Sequence, residues 1–388
     1  MTATLRFAIL PRDGLFAKDG RGWHTSASGR GHGLDWPWPS TVLGALRSAW
    51  GREVEAGEGR PFGPEAWRTH TAAVQLRRTL VLRRPPDAPW APTHRVWPVP
   101  ADALCLDGHA DVQRLDPAPP RWPTLGRDDD PAREALWVPT LDEAAKPQPA
   151  PRWWSEDRFI SWLSGRPLAA HDPAAVFTVT RRIQAHVGIQ PESLTGEEGL
   201  LFSHDVVETL DRVAEWAIGA EVVLPAGDAP VIATLGSDAR IALLEALPPE
   251  AFHPATQVLE AFRNKILGLR LIIVSPTCFK RGWLPDGIEE RDGTFRGRLG
   301  VLGHELVLRA ALVPRPLYVS GWDMASGAPK PTMPVVAPGA VYFFERADAR
   351  PFDETDVQRL WLAALGTRTD EGYGRVVAGV WTPKGREG

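Results

Sequence analysis

Four short stretches of the chain carry residue types that hold phosphate and enclose unstacked bases. The first is Trp38-Pro39-Ser40-Thr41-Val42-Leu43-Gly44-Ala45-Leu46-Arg47. Pro39 opening a helix, with Ser40 able to cap it, marks a helix N-terminus, and free N–H groups there attract phosphate oxygens. Gly44 costs such a helix about 1 kcal/mol relative to alanine, which suggests close approach by a ligand or another backbone. Arg47 follows one turn on. The second stretch is Arg181-Arg182 with His186. On a strand, 182 and 186 share a face and 181 points away, so the three line a groove rather than grip one phosphate. The third is Lys280-Arg281 with Trp283, Arg296 and Arg298, around an acidic Glu289-Glu290. It reads as a protruding hairpin or loop whose charges either meet nucleic acid or pair with each other. The fourth is Glu371-Gly372-Tyr373-Gly374-Arg375, where glycines let backbone N–H groups reach phosphates and Tyr373 can stack. Lys330, between two prolines, adds a cation. Each stretch also has a purely architectural reading as a helix cap, a basic strand edge, a charge-paired loop or a tight turn.

Residues for catalysis are less well placed. His24, His32 and His186 lie nearest these surfaces, and none stands at a specific spacing from a second acid–base residue. Asp128-Asp129-Asp130 falls in a proline-rich stretch and reads as a solvated acidic run. Cys105 and Cys278 form no CxxC pair, which argues against a cysteine zinc site. No Walker, HExxH or GxSxG string occurs. Neither a metal nor a cofactor is expected.

The elements that must position these residues come from a chain of 388 residues, long enough for two domains. Apolar residues make up 43% and charged residues 24%, an ordinary globular balance. The N-terminus lacks a charged leader before a long apolar run, and Leu269–Val274 is too short to span a bilayer. A soluble, cytoplasmic protein without membrane contact is expected. The net charge of −4 excludes a generic nucleic-acid sponge, yet its distribution is uneven. Residues 1–100 hold 14 Lys/Arg against 8 Asp/Glu, and residues 101–160 hold 7 against 12. Basic and acidic zones fit local RNA contact beside protein contact. The 17 tryptophans either fasten long loops or cover subunit contacts and bases.

Alternation predicts a strand at 4–10, then a Gly-rich basic loop at 17–37 and the helix from Pro39. Residues 72–84 read as a basic strand and 85–155 as a proline-rich insertion with short strands. A strand begins at 176, a helix is expected over 205–218, and strands over 220–224 and 230–235. Helices are expected near 238–247, 255–266 and 355–365, and strands near 269–274, 306–313, 340–344 and 376–381. This mixture predicts an α+β protein. The Pro225/Gly227/Pro230 cluster places the division at 227/228, giving domains 1–227 and 228–388.

The helix entry at 38–47 resembles the "PSP-x-x-x-GALR" entry of the RAMP superfamily of CRISPR proteins. Pro11-Arg12-Asp13-Gly14-Leu15-Phe16 is similar to the start of one branch, the third-named subunit of the type III-B Cmr complex. Landmarks of that branch follow in order. They are Arg182-Ile183 to His186-Val187-Gly188-Ile189, Gly199-Leu200-Leu201-Phe202, Leu235-Gly236-Ser237-Asp238-Ala239-Arg240 and Gly282-Trp283-Leu284-Pro285. Ser320-Gly321-Trp322-Asp323, Pro329-Lys330-Pro331, Pro338-Gly339-Ala340-Val341-Tyr342-Phe343 and Glu371-Gly372-Tyr373-Gly374 complete the series. The insertion matches least, and Ser237 stands where a glycine is expected. The resemblance implies two ferredoxin-like (RRM-like, βαββαβ) domains with long loop and β-hairpin insertions. It implies a non-catalytic subunit holding the repeat-derived 5′ tag of crRNA. Its implied partners are the large polymerase/cyclase-like Cmr subunit and the backbone RAMP subunit. The alternatives are a metal-independent endoribonuclease that processes crRNA, and a pure protein scaffold.

Overall fold

The computed structural model describes residues 2–18, 29–31, 33–119, 136–141, 145–149, 151–210, 213–225, 229–236, 239–323 and 326–383. Two large, antiparallel sheets dominate it, with few helices, so the protein is α+β. No helix among the described residues is long and apolar enough to cross a membrane.

Thr2–Pro11 lies inside an eight-stranded sheet, paired with Glu215–Pro225 on one side and Arg240–Ala246 on the other. Gln75–Arg84 pairs with the outer side of Glu215–Pro225. Counted along the chain, these four central strands stand in the order second, third, first, fourth. The helix Pro39–Glu58 joins the first to the second and buries Val42, Leu43, Leu46 and Trp50, packing with Phe7, Ile9 and Ile218 of the sheet. The second sheet has seven strands. Its centre repeats the order: Leu306–Leu312, Val341–Arg346, Gly268–Ile273 and Arg375–Trp381. Here the helix Glu354–Leu360 falls between the third and fourth strands.

Alternate residues of the first sheet look the other way. Ala8, Leu10, Leu82 and Ala217 join one continuous apolar cluster with Leu269, Phe343 and Val377 of the second sheet. Trp97, Trp154 and Trp162 fill that cluster and are 1% exposed. Much of the tryptophan content is therefore core.

The segment 85–155 is more integrated than an excursion. Its strands Arg95–Pro98 and Trp153–Ser155 extend the first sheet. Asp102, from the same segment, forms a wholly buried ion pair with Arg270 of the second sheet at 2.6 Å. Trp162 Nε1 donates to Asp102 at 3.0 Å, and Arg270 also donates to the carbonyls of Trp162 and Val380 at 2.6 and 2.7 Å. A second buried pair, Arg95 with Glu156, takes a further hydrogen bond from Trp97 Nε1.

Several elements differ from the expectation. The helix expected over 205–218 is not found among the described residues: 205–208 end one strand, Gly196–Glu208, and 215–218 start another, Glu215–Pro225. Their apolar spacing fits both periods, but the two strands pair with Thr180–Ile189 and Gln75–Arg84, and β-branched Val206 and Val207 suit strands. Residues 238–247 likewise contain the strand Arg240–Ala246, whose helix-forming alanines and leucines yield to pairing on both sides. The later helices shorten to Thr256–Ala261 and Glu354–Leu360, while Pro64–Ala72 and Glu156–Leu163 are helices without an expected counterpart. The division drawn at 227/228 falls within the first sheet, whose strands continue to Ala246.

Removing one member of a buried, hydrogen-bonded ion pair leaves the other charge uncompensated. Asp102→Ala is expected to cost roughly 3–5 kcal/mol, measured by denaturant unfolding against the parent chain.

Candidate nucleic-acid interface

A cavity of about 430 Å³ opens where the two halves meet. Ser40, Thr41 and Gly44 of the helix N-terminus form one wall. Ser320, Gly321, Trp322 and Lys330, from the excursion between the strands Leu306–Leu312 and Val341–Arg346, form another. Lys18, Gly236 and Arg368 complete the lining. Three cations, a 43% exposed indole at Trp322 and a helix N-terminus therefore face one space.

The helix begins with Trp38 as N-cap and Pro39 in its first turn, and no acidic residue sits in that turn. Ser40 does not cap it. Its hydroxyl instead pairs with the Tyr373 hydroxyl at 2.9 Å, tying the helix to the loop before the last strand. Gly44 is exposed, and no atom lies within 4 Å of where a Cβ would stand. The chain itself has no packing use for this glycine. Gly236 takes φ +74°, and a Cβ there would meet the Phe16 carbonyl oxygen at 2.6 Å. Ser237, beside it, lies outside the described residues, as do His24, His32 and Asp128–Asp130.

The Glu371–Arg375 stretch turns inward. Tyr373 is completely buried and offers no face for stacking. Burial pushes its phenol up to about 12, against the pull of Ser40 and Arg368. The Arg368 guanidinium sits 5.0 Å over the Tyr373 ring and is itself bound by Glu371. Gly372 and Gly374 both have positive φ, and side chains there would also strike Leu76 at 2.9 Å and the Leu365 carbonyl at 2.0 Å. These glycines serve chain packing. Arg375 is buried and donates to the Thr369 carbonyl. Burial, then Arg78 and Arg77, push it down to about 10. Arg47 is half-buried and donates to the Val74 carbonyl at 3.3 Å.

The other expected positions lie elsewhere. Arg181 pairs with Asp35, while Arg182 pairs with Glu208 and reaches Asp13 at 3.3 Å. His186 stacks on Phe202 at 5.2 Å. These residues belong to a long hairpin, Thr180–Ile189 with Gly196–Glu208. Arg296 lies in the hairpin Ile288–Arg291 with Thr294–Gly297, opposite Glu289. That hairpin is at the far edge of the second sheet from Ala363–Ala364, which leads to the Tyr373 loop. Arg298 follows it. The Lys280 backbone N–H donates to the Asp286 carboxylate at 3.0 Å, and Arg281 donates to the Ile288 carbonyl. Trp283 is 38% exposed beside Phe295. Only Ser40, Gly44 and Lys330 of the expected set meet in the cavity. Lys18, Trp322 and Arg368 were not singled out by chemistry: each is a lone residue whose neighbours come from distant segments.

The fold and cavity thus define a two-sheet α+β protein with a cation-lined recess between its halves. The family model of the CRISPR-associated protein (Cas_Cmr3) matches residues 7–381, and the chain belongs to that family. It is a subunit of a CRISPR type III-B Cmr effector complex. No curated protein matches it in sequence. Two solved structures of the type III-B Cmr-beta complex contain a similar chain. One, with cognate target RNA and AMPPnP, shows 11% identity and TM-score 0.44, covering 87% of this chain and 86% of that one. The other, with cognate target RNA, shows 11% identity and TM-score 0.43, covering 88% and 86%. A chain of the Csm3-Csm4 subcomplex of the type III-A interference complex shows 9% identity and TM-score 0.33, covering 98% and 100%. The family match alone carries the assignment.

Tyr373→Phe keeps the packing of the ring and removes its bond to Ser40. It is expected to lower unfolding free energy by about 1 kcal/mol, read by denaturant titration.

Proposed function

We propose that this chain holds the repeat-derived 5′ tag of crRNA in the cavity between its halves, as a non-catalytic subunit beside the large polymerase/cyclase-like subunit and the backbone RAMP subunit. The observation that carries the reading is Gly44. It is an exposed helix glycine with open space where its side chain would be, and it faces Lys330, Lys18 and Arg368. A helix that carries this cost gains nothing from it inside the chain. A sugar–phosphate backbone brought against the helix N-terminus uses it. Phosphate contact fixes the RNA, and Trp322 supplies a flat apolar surface for a base. The strand order shared by the two sheets supports reading each half as a ferredoxin-like (RRM-like) unit. The first half has a helix between its first and second strands, the second half between its third and fourth.

Gly44→Ala separates stability from function. Alanine is expected to raise stability by about 0.5–1 kcal/mol while weakening binding of tag-bearing crRNA several-fold. Thermal melting and filter binding of the same sample read both. Unchanged affinity would remove the proposed role of the helix.

Lys330→Glu tests the phosphate contact. The slope of log affinity against log salt is expected to fall by about 1, with the fold unchanged by circular dichroism. Repeat RNA incubated with the purified chain in the absence of metal is expected to stay intact; cleavage lost in His186→Ala would instead establish the endoribonuclease reading.

A further inference from the structure

The first sheet ends on an open edge. Ile232–Leu235 is its outermost strand and pairs on one side only, with Arg240–Ala246. An antiparallel ladder alternates between bonded and non-bonded residue pairs. Its phase here is set by the Leu244 N–H, which donates to the Val231 carbonyl at 2.9 Å. The backbone groups of Ala233 and Leu235 therefore turn inward, to Ala242 and Arg240. Those of Ile232 and Thr234 point away from the sheet and meet no backbone partner among the described residues.

Sheet edges are ordinarily blunted by lysine, proline or a bulge. This one carries none of them. The sequence Val231-Ile232-Ala233-Thr234-Leu235 has no charge and no proline, and its register runs without a shift. Ala233 and Leu235 are buried in the core beneath the helix Pro39–Glu58. On the other face Ile232 stands opposite Leu243, and Thr234 opposite Ile241. Val231, Ile232 and Ile241 are 65%, 53% and 56% exposed. Free backbone groups beside exposed aliphatics form a template for one more strand.

The chemistry of the edge selects its occupant. Nucleic acid finds no cation from Val231 to Leu235, and Arg240 at the adjoining turn is held by Asp13 and Gln184. A second copy of the chain is also disfavoured. Four residues span only about 13 Å, whereas a stable pair of proteins buries about 800 Å² on each partner. A segment of a subunit already held in the same complex needs no such area, because the assembly sets its local concentration.

We infer that Ile232–Leu235 is a strand-addition site. An extended segment of a neighbouring protein subunit pairs with the outward N–H and C=O groups of Ile232 and Thr234. Its side chains on the Ile232 and Ile241 face are apolar. The site stands apart from the RNA reading of the cavity and does not rest on it.

The test uses the full chain, alone and co-expressed with the other subunits of its own Cmr complex and crRNA. Hydrogen exchange resolved to single amides is expected to be fast at Ile232 and Thr234 in the isolated chain, and at least tenfold slower in the complex. A photo-crosslinking benzoylphenylalanine at Ile232 should join a different protein subunit. Thr234→Pro removes an outward donor and no bond of the existing ladder, so the isolated variant should melt like the parent. Co-expressed in competition with the parent chain, it should enter the complex at least tenfold less often. Ile232→Glu/Ile241→Glu should do the same through the exposed face, and it decides the matter if the proline variant melts early. Unchanged exchange in the complex, or equal competition by a variant that melts like the parent, would overturn the inference. So would protection that crRNA alone confers, or protection that grows with the concentration of the isolated chain, which would mark a second copy.

Discussion

The arrangement of the two sheets depends on one buried charge pair. Arg270 and Asp102 are both fully removed from solvent. A guanidinium in such a place is tolerable only when its donors are used. Here each of its three nitrogens donates, one to Asp102, one to the Trp162 carbonyl and one to the Val380 carbonyl. The pair thereby links the proline-rich segment, the helix Glu156–Leu163 and two strands of the second sheet. An apolar contact would tolerate sliding; this geometry fixes register. The cavity beside the helix Pro39–Glu58 inherits that fixity, because its walls come from both halves.

A chain with net charge −4 still offers a cationic recess because its carboxylates are placed selectively. Asp35, Glu208, Glu221 and Glu215 are spent on arginines of the first sheet and the hairpin base. Glu371 holds Arg368 but leaves that guanidinium over Tyr373, at the cavity edge. Neutralisation is local, so the total charge says little about any one surface. The basic first hundred residues illustrate this: many of their arginines brace strands and do not wait for a ligand.

What could be read from the sequence followed from how local each signal is. The helix entry at Pro39 was legible because proline, serine and apolar spacing act within one turn, and Gly44 stood out because its cost is intrinsic. The strands at 75–84, 268–273, 306–312, 341–346 and 375–381 were legible from β-branched alternation. The residues 205–218 and 238–247 were not. Their composition suits a helix, and only partners far along the chain decide for strands. Tyr373 and Arg375 failed differently. Their residue types suit RNA contact, but burial against Ser40, Arg368 and the Thr369 carbonyl gives them internal work. Lys18 and Arg368 carried no pattern, and Trp322 only its place in a family landmark, since the cavity they share exists only after separate segments meet.

The apolar cluster that joins the sheets has a consequence for inheritance. Leu82 and Ala217 from one sheet, Phe343 and Val377 from the other, and Trp97 from the inserted segment belong to a single packed body. The first half keeps an interior of its own beneath the helix Pro39–Glu58, but its other face has no core except the one it shares with the second sheet. A change of volume at any of these positions is felt across the divide, so compensating changes must arise on both sides. Halves exchanged between distant relatives would meet at mismatched surfaces, and the two parts are bound to diverge together.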